Sequence, residues 1–171
     1  MSTPLSQLNH SSREFFVKIC GPLFEHSPWI AEQTFDQRPF ATRDALLRAL
    51  LQTLDAAPTD AKVALIAAHP DLVGRLAKEG KLTRESTHEQ SAAGLVNLTD
   101  DEIAKFDSYN ADYRSKFGFP FVICARENKK EAILAAFPTR LNHSRDAEIQ
   151  TALTEIGKIA RLRLLDAVTE D

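Results

Sequence analysis

The chain has 171 residues and a mass of 19.0 kDa, the size of one globular domain. Its 21 basic and 24 acidic side chains leave a formal net charge of −3, which gives no electrostatic footprint for nucleic acid or an anionic membrane surface. No apolar run approaches the ~20 residues of a membrane span. Cys20 and Cys124 make neither a disulfide framework nor a thiolate zinc site. The opening residues lack the basic start and apolar run of a signal peptide, and Thr169-Glu170-Asp171 is no peroxisomal address. The expectation is a cytoplasmic protein of a reducing compartment.

Alanine (23) and leucine (20) far outnumber valine (6) and isoleucine (9), so straight-chain helix formers dominate. Ser11-x-x-Glu14 reads as a capping box before Phe15-Phe16-Val17. Thr42 caps a helix to about Asp55, with Leu46, Leu47, Leu50, Leu51 and Leu54 on one face. Thr59 caps the next, which stops near His69-Pro70. Pro70 suits the opening of a short helix over residues 71–78, ended by Glu79-Gly80. Ser86-x-x-Glu89 and Thr99-x-x-Glu102 are further capping boxes. After the second, Ile103, Phe106, Asn110, Tyr113 and Phe117 recur at steps of three and four, and Gly118 is a stop. Residues 119–124 form the one plausible extended segment, too short and solitary to make a sheet. Helices follow over about 129–137 and from Ser144 to near Val168. The expected fold is therefore all-α: a single compact, bundle-like domain over residues 1–171.

Four features depart from a plain helical bundle. His69 precedes a proline, which pushes it out of helical geometry at the end of an apolar helix. There an imidazole can serve as proton donor or acceptor, or simply as a satisfied core histidine. Glu89 can reach back to a helix cap, or face His69 across a cleft as a carboxylate partner. Arg163 falls on the stripe of Ile149, Leu153, Ile156 and Ala160, while Arg161 lies about 160° away on the solvent side. An inward guanidinium needs a carboxylate or an amide-like ligand edge, so a structural salt bridge and a substrate contact are both open. The run Phe117-Gly118-Phe119-Pro120-Phe121-Val122-Ile123 can be a hydrophobic strap over the core, or backbone free to bind a flat heterocycle. The glycines are too dispersed for a phosphate cradle, and His88-Glu89 lacks the second histidine of a zinc-protease motif.

Four separated motifs carry a resemblance over nearly the whole chain. They are Ala68-His69-Pro70-Asp71-Leu72, then Ser86-Thr87-His88-Glu89-Gln90 with Ala93-Gly94-Leu95, then Lys116 to Ile123, then Lys158-Ile159-x-x-Leu162-Arg163. Together they resemble OHCU decarboxylases, the enzymes that act on 2-oxo-4-hydroxy-4-carboxy-5-ureidoimidazoline at the end of the urate-to-allantoin route. The resemblance implies an all-helical homodimer that needs no metal or organic cofactor. It implies His69 as catalytic acid/base and Glu89 as its carboxylate partner. Pro70, Ser86, Thr87, His88, Glu89 and Gln90 would line the substrate. So would Phe121, Val122, Ile123, Cys124 and Ala125, largely through backbone atoms, with Arg163 reaching in from the last helix. Urate oxidation and a separate hydroxyisourate hydrolase would supply the substrate, since no hydrolase domain is fused here. Two rivals are a helical interaction module without chemistry and a metal-dependent hydrolase using His69, His88 and Glu89.

Overall fold

Helix starts are written locally, by short polar side chains that accept the unpaired N–H groups of a first turn. The computed structural model describes residues 2–74 and 79–170. In chain order the elements are β1 (Thr3–Pro4), α1 (Leu5–Asn9), α2 (Arg13–Cys20), α3 (Trp29–Thr34), α4 (Arg43–Ala56), α5 (Thr59–Ala68), α6 (Arg84–Ala92), α7 (Asp100–Phe117), α8 (Lys130–Leu141), α9 (Arg145–Ala167) and β2 (Val168–Thr169). The fold is all-α, as the composition requires. Among the described residues the β structure is one parallel pair, Thr3 beside Val168 and Pro4 beside Thr169, which the sequence reading did not anticipate. None of the described helices is long and apolar enough to cross a membrane.

Two compact units divide these elements. The first comprises Met1–Ala68 with Gly157–Asp171. In it, the Thr42 hydroxyl accepts the Ala45 N–H at 3.0 Å and starts α4, as expected. Leu46, Leu50 and Leu54 are buried along α4, each such burial worth roughly 1.5–3 kcal/mol. The cap of α2 is Ser12, one residue later than expected: its hydroxyl accepts the Phe15 N–H at 3.2 Å. Helix α5 already includes Thr59, because the carbonyl of Pro58 takes the N–H groups of Ala61 and Lys62. It ends at Ala68, immediately before His69-Pro70, where the proline forbids a further helical residue.

The second unit comprises His69–Ile156. Its helix α7 has the expected capping box, with Thr99 and Glu102 each accepting the other's backbone N–H. Gly118 ends it in the left-handed conformation at φ 79°, a position a side chain would strain. Phe106, Tyr113, Phe117, Phe119, Phe121 and Phe137 are all buried and form an aromatic core. The rings of Phe121 and Phe137 stack at 3.8 Å between centroids, and Tyr113 lies 5.3 Å from Phe121. Helix α8 runs to Leu141 rather than stopping at Phe137. Pro138 falls in its last turns, where only the bond from position 138 is lost, and its own carbonyl is taken by Asn142 Nδ2 at 3.0 Å. The helix expected over 71–78 is not helical where it is described: Asp71–Gly74 makes a turn, and residues 75–78 lie outside the described residues.

Candidate active site

Three pieces of the second unit carry most of the expected site residues: the segment from His69 to Gly74, helix α6 and the strap 121–125. His69 is buried, 7% exposed, and Pro70 is half-buried. The residues after them are held by side-chain amides. Asn110 Nδ2 donates to the Leu72 carbonyl at 2.8 Å, and Gln90 Oε1 accepts the Val73 N–H at 3.0 Å. Val73 stands at φ 57°, a left-handed conformation that a β-branched residue adopts at a cost of about 1–3 kcal/mol. The two amides on successive backbone groups oppose that strain. Asp71 is fixed as well, by Arg114 Nε at 2.9 Å.

Helix α6 corrects one expectation outright. Its cap is Thr83, whose hydroxyl accepts the Ser86 N–H at 3.2 Å, so the Ser86-to-Glu89 capping box does not form. Glu89 sits in the body of the helix, where reaching back to a cap cannot explain it. Ser86, Glu89 and Gln90, at spacings of three and four, form the buried face of α6. Thr87 and His88 are on its exposed side, and the Thr87 hydroxyl bonds back to the Thr83 carbonyl at 2.9 Å. Among the described residues no group of three or more His, Cys, Asp or Glu side chains could hold a metal ion, so His69, His88 and Glu89 do not make a ligand set.

The strap meets α6. The turn Ala125–Glu127 packs on this helix, and Lys129 Nζ donates to the Ala92 carbonyl at its end, 2.9 Å away. Burial pushes the Cys124 thiol up to about 11, and the carboxylates of Glu127, Glu155 and Glu89 add to the rise. A thiol raised in this way stays protonated near neutral pH. Phe121, Val122, Cys124 and Ala125 are buried, and Ile123 is half-buried. The strap covers the core, as one of the two readings had it. Its aromatic side chains belong to the core, while among the described residues no protein acceptor takes the N–H of Val122 or Ile123. Backbone groups left without a protein partner are free to bond to solvent or to a ligand.

Beneath the strap lies a buried cluster that the sequence reading missed. Arg140 donates to the Val122 carbonyl at 2.7 Å and to Glu148 at 2.8 Å, and Tyr113 and His143 also bond to Glu148. Burial acts to raise the Glu148 carboxyl, but the bonds from Arg140, Tyr113 and His143 outweigh it and hold it below the usual range.

Arg163 belongs to the first unit. It is buried as its helix periodicity required, and it has found a carboxylate: Glu25 lies 3.0 Å from Nη2, and the Pro22 carbonyl lies 3.0 Å from Nη1. Arg161 is exposed.

The chain matches the family model "OHCU decarboxylase" over residues 9–165. It is 40% identical to a 2-oxo-4-hydroxy-4-carboxy-5-ureidoimidazoline decarboxylase of Amia calva, over 96% of this chain and 94% of that one. A protein of the same name from Halalkalicoccus jeotgali is 39% identical, over 94% and 89% of the two chains. Among solved structures, the crystal structure of an (S)-allantoin synthase superposes with a TM-score of 0.79 at 28% identity, covering 97% of this chain and 54% of that one. These matches settle the family: the chain belongs to the OHCU decarboxylases.

Proposed function

We propose that this chain converts 2-oxo-4-hydroxy-4-carboxy-5-ureidoimidazoline to (S)-allantoin and CO₂, the last step of urate degradation to allantoin, and that residues 1–171 act as one functional domain. The observation that carries the reading is the position of α6. The turn that follows the strap, Ala125–Glu127, packs on this helix, and its Gln90 bonds to the His69 segment, so one helix registers the two against each other.

The chemistry suits these groups. One substrate ring carbon carries a hydroxyl and a carboxylate. When the bond to the carboxylate breaks, CO₂ leaves, its electron pair forms a C=C bond to the ureido-bearing carbon, and the pair of the adjacent C=N bond moves onto the ring nitrogen, which takes a proton. The hydroxyl carbon becomes a carbonyl as it gives up its proton, and the ureido-bearing carbon takes a proton on one face. The substrate's own conjugation holds the electron pair, so no electron-sink cofactor is needed. His69 serves as the acid/base, and Glu89 grips the hydroxyl or N–H groups and orients the imidazole. Pro70, Ser86, Gln90 and the Phe121–Ala125 backbone frame the planar ring, and Arg163 recognises its anionic edge. Thr87 and His88, on the exposed side of α6, complete the substrate lining without moving a proton. The protein works as a homodimer in the cytoplasm, supplied by urate oxidation and hydroxyisourate hydrolysis. Its two buried free thiols suit a reducing compartment.

A coupled assay tests this. Urate oxidase and hydroxyisourate hydrolase generate the substrate, and circular dichroism follows the product. Uncatalysed protonation can reach either face, so only an active enzyme yields optically active allantoin. A racemic product at the uncatalysed rate refutes the reading. Full activity after dialysis against a chelator is the expected result for metal-free chemistry.

A further inference from the structure

Each peptide plane carries the C=O of one residue and the N–H of the next, so fixing either group fixes both. Two such planes flank Ile123. In the first, the Val122 carbonyl accepts from Arg140 Nη1 at 2.7 Å, which sets the direction of the Ile123 N–H. In the second, the Cys124 N–H donates to Glu155 Oε2 at 2.8 Å, which sets the direction of the Ile123 C=O. Among the described residues, neither the N–H nor the C=O of Ile123 has a hydrogen-bond partner in the protein.

Arg140 is itself held rigidly. Its guanidinium lies 4.2 Å from the Phe121 ring centroid, and Nε and Nη2 bond to the fully buried Glu148 at 3.0 and 2.8 Å. An apolar pair of similar volume could fill this space with equal or better stability. It could not donate to a carbonyl.

We infer that Arg140 and Glu155 are positioning residues: they clamp the two peptide planes around Ile123 so that its N–H and C=O face the ligand as a fixed donor–acceptor edge. An amide- or ureido-type edge of the ligand offers the complementary pair. The inference rests on the functional reading above and names what makes the strap a rigid receptor.

The test compares Glu155→Leu with Glu155→Gln, and adds the double variant Arg140→Met/Glu148→Leu, which removes the buried pair without leaving an unpaired charge. Glu155 is only half-buried, so its variants retain the fold. Glu155→Leu and the double variant should raise KM and the Kd for (S)-allantoin by about tenfold, the effect of one lost hydrogen bond at the ligand. kcat should change much less. Glu155→Gln keeps a carbonyl acceptor and should restore wild-type constants. Unchanged KM and Kd in folded Glu155→Leu and double variants overturn the inference, as does equal impairment in Glu155→Gln. Turnover by the wild-type protein is measured first, so that a failure of the functional reading is seen separately.

Discussion

Gln90 Oε1 accepts the N–H of Val73 at 3.0 Å, so a side chain of α6 holds the left-handed residue four positions after His69. In Gln90→Leu the buried Val73 N–H loses its acceptor, a loss of about 1–3 kcal/mol. The strained turn is then free to relax, carrying the His69 backbone with it. The expected result is a lower melting temperature together with faster amide exchange over residues 69–74. Exchange as slow as in the wild type would show that Gln90 does not hold the turn.

His69→Asn should keep the fold and lose on the order of 10²–10⁴ in turnover, the range for a removed general acid/base. His88→Asn, on the exposed side of α6, should stay within about twofold of the wild type. Near-normal turnover by folded His69→Asn would remove the histidine from the chemistry.

Thr83 as the cap of α6 sharpens the expectation for Glu89. Glu89→Gln is nearly isosteric and touches no cap, so the melting temperature should barely change. Turnover should fall by about 10²-fold or more if a charged acceptor is needed at the substrate. A thermal loss with activity retained would make Glu89 a structural residue.

Local signals were legible and distant partners were not. Thr42, Thr99 and Gly118 act within one turn of their own position, and the structure uses each as the sequence suggests. Thr83 and Ser86 lie three residues apart and both suit a cap, so local rules could not choose between them. Asn110 was visible as a polar break in an apolar stripe, but its partner Leu72 is 38 positions away. Arg140 and Glu148 stand in the last turn of α8 and the first turn of α9, where charges of those signs suit the helix dipoles. That ordinary explanation hid a buried pair. Arg163 was legible from periodicity, whereas Glu25, in an irregular segment between Phe24 and His26, has no pattern to mark it.

The Glu148 carboxyl gives a pH dependence with a definite sign. Its folded-state value is depressed below the ordinary ~4.3 of the unfolded chain. The resulting stability is fully present above that unfolded value and is lost as pH falls through the lower folded one. Glu148→Gln should therefore melt well below the wild type at pH 7, and the gap should narrow below about pH 4. A gap that stays constant from pH 7 to pH 3 would contradict a charged, paired Glu148.

Arg163 tests whether one guanidinium serves both fold and ligand. The side chains of Arg163 and Glu25 are 5% and 2% exposed, so Arg163→Met takes the guanidinium from a buried carboxylate that keeps only weaker contacts such as His26 at 3.9 Å, a loss of up to about 3–5 kcal/mol. Low activity in that variant alone would therefore say nothing about substrate. Arg163→Met/Glu25→Leu removes both charges and should recover most of the lost stability. If Arg163 recognises the anionic substrate, this double variant stays folded yet binds (S)-allantoin and turns over substrate poorly. Arg163→Lys keeps the charge but loses the planar fork, so it should fall between the two in affinity. Wild-type affinity and turnover in the folded double variant would leave Arg163 with its Glu25 pair and no role at the substrate.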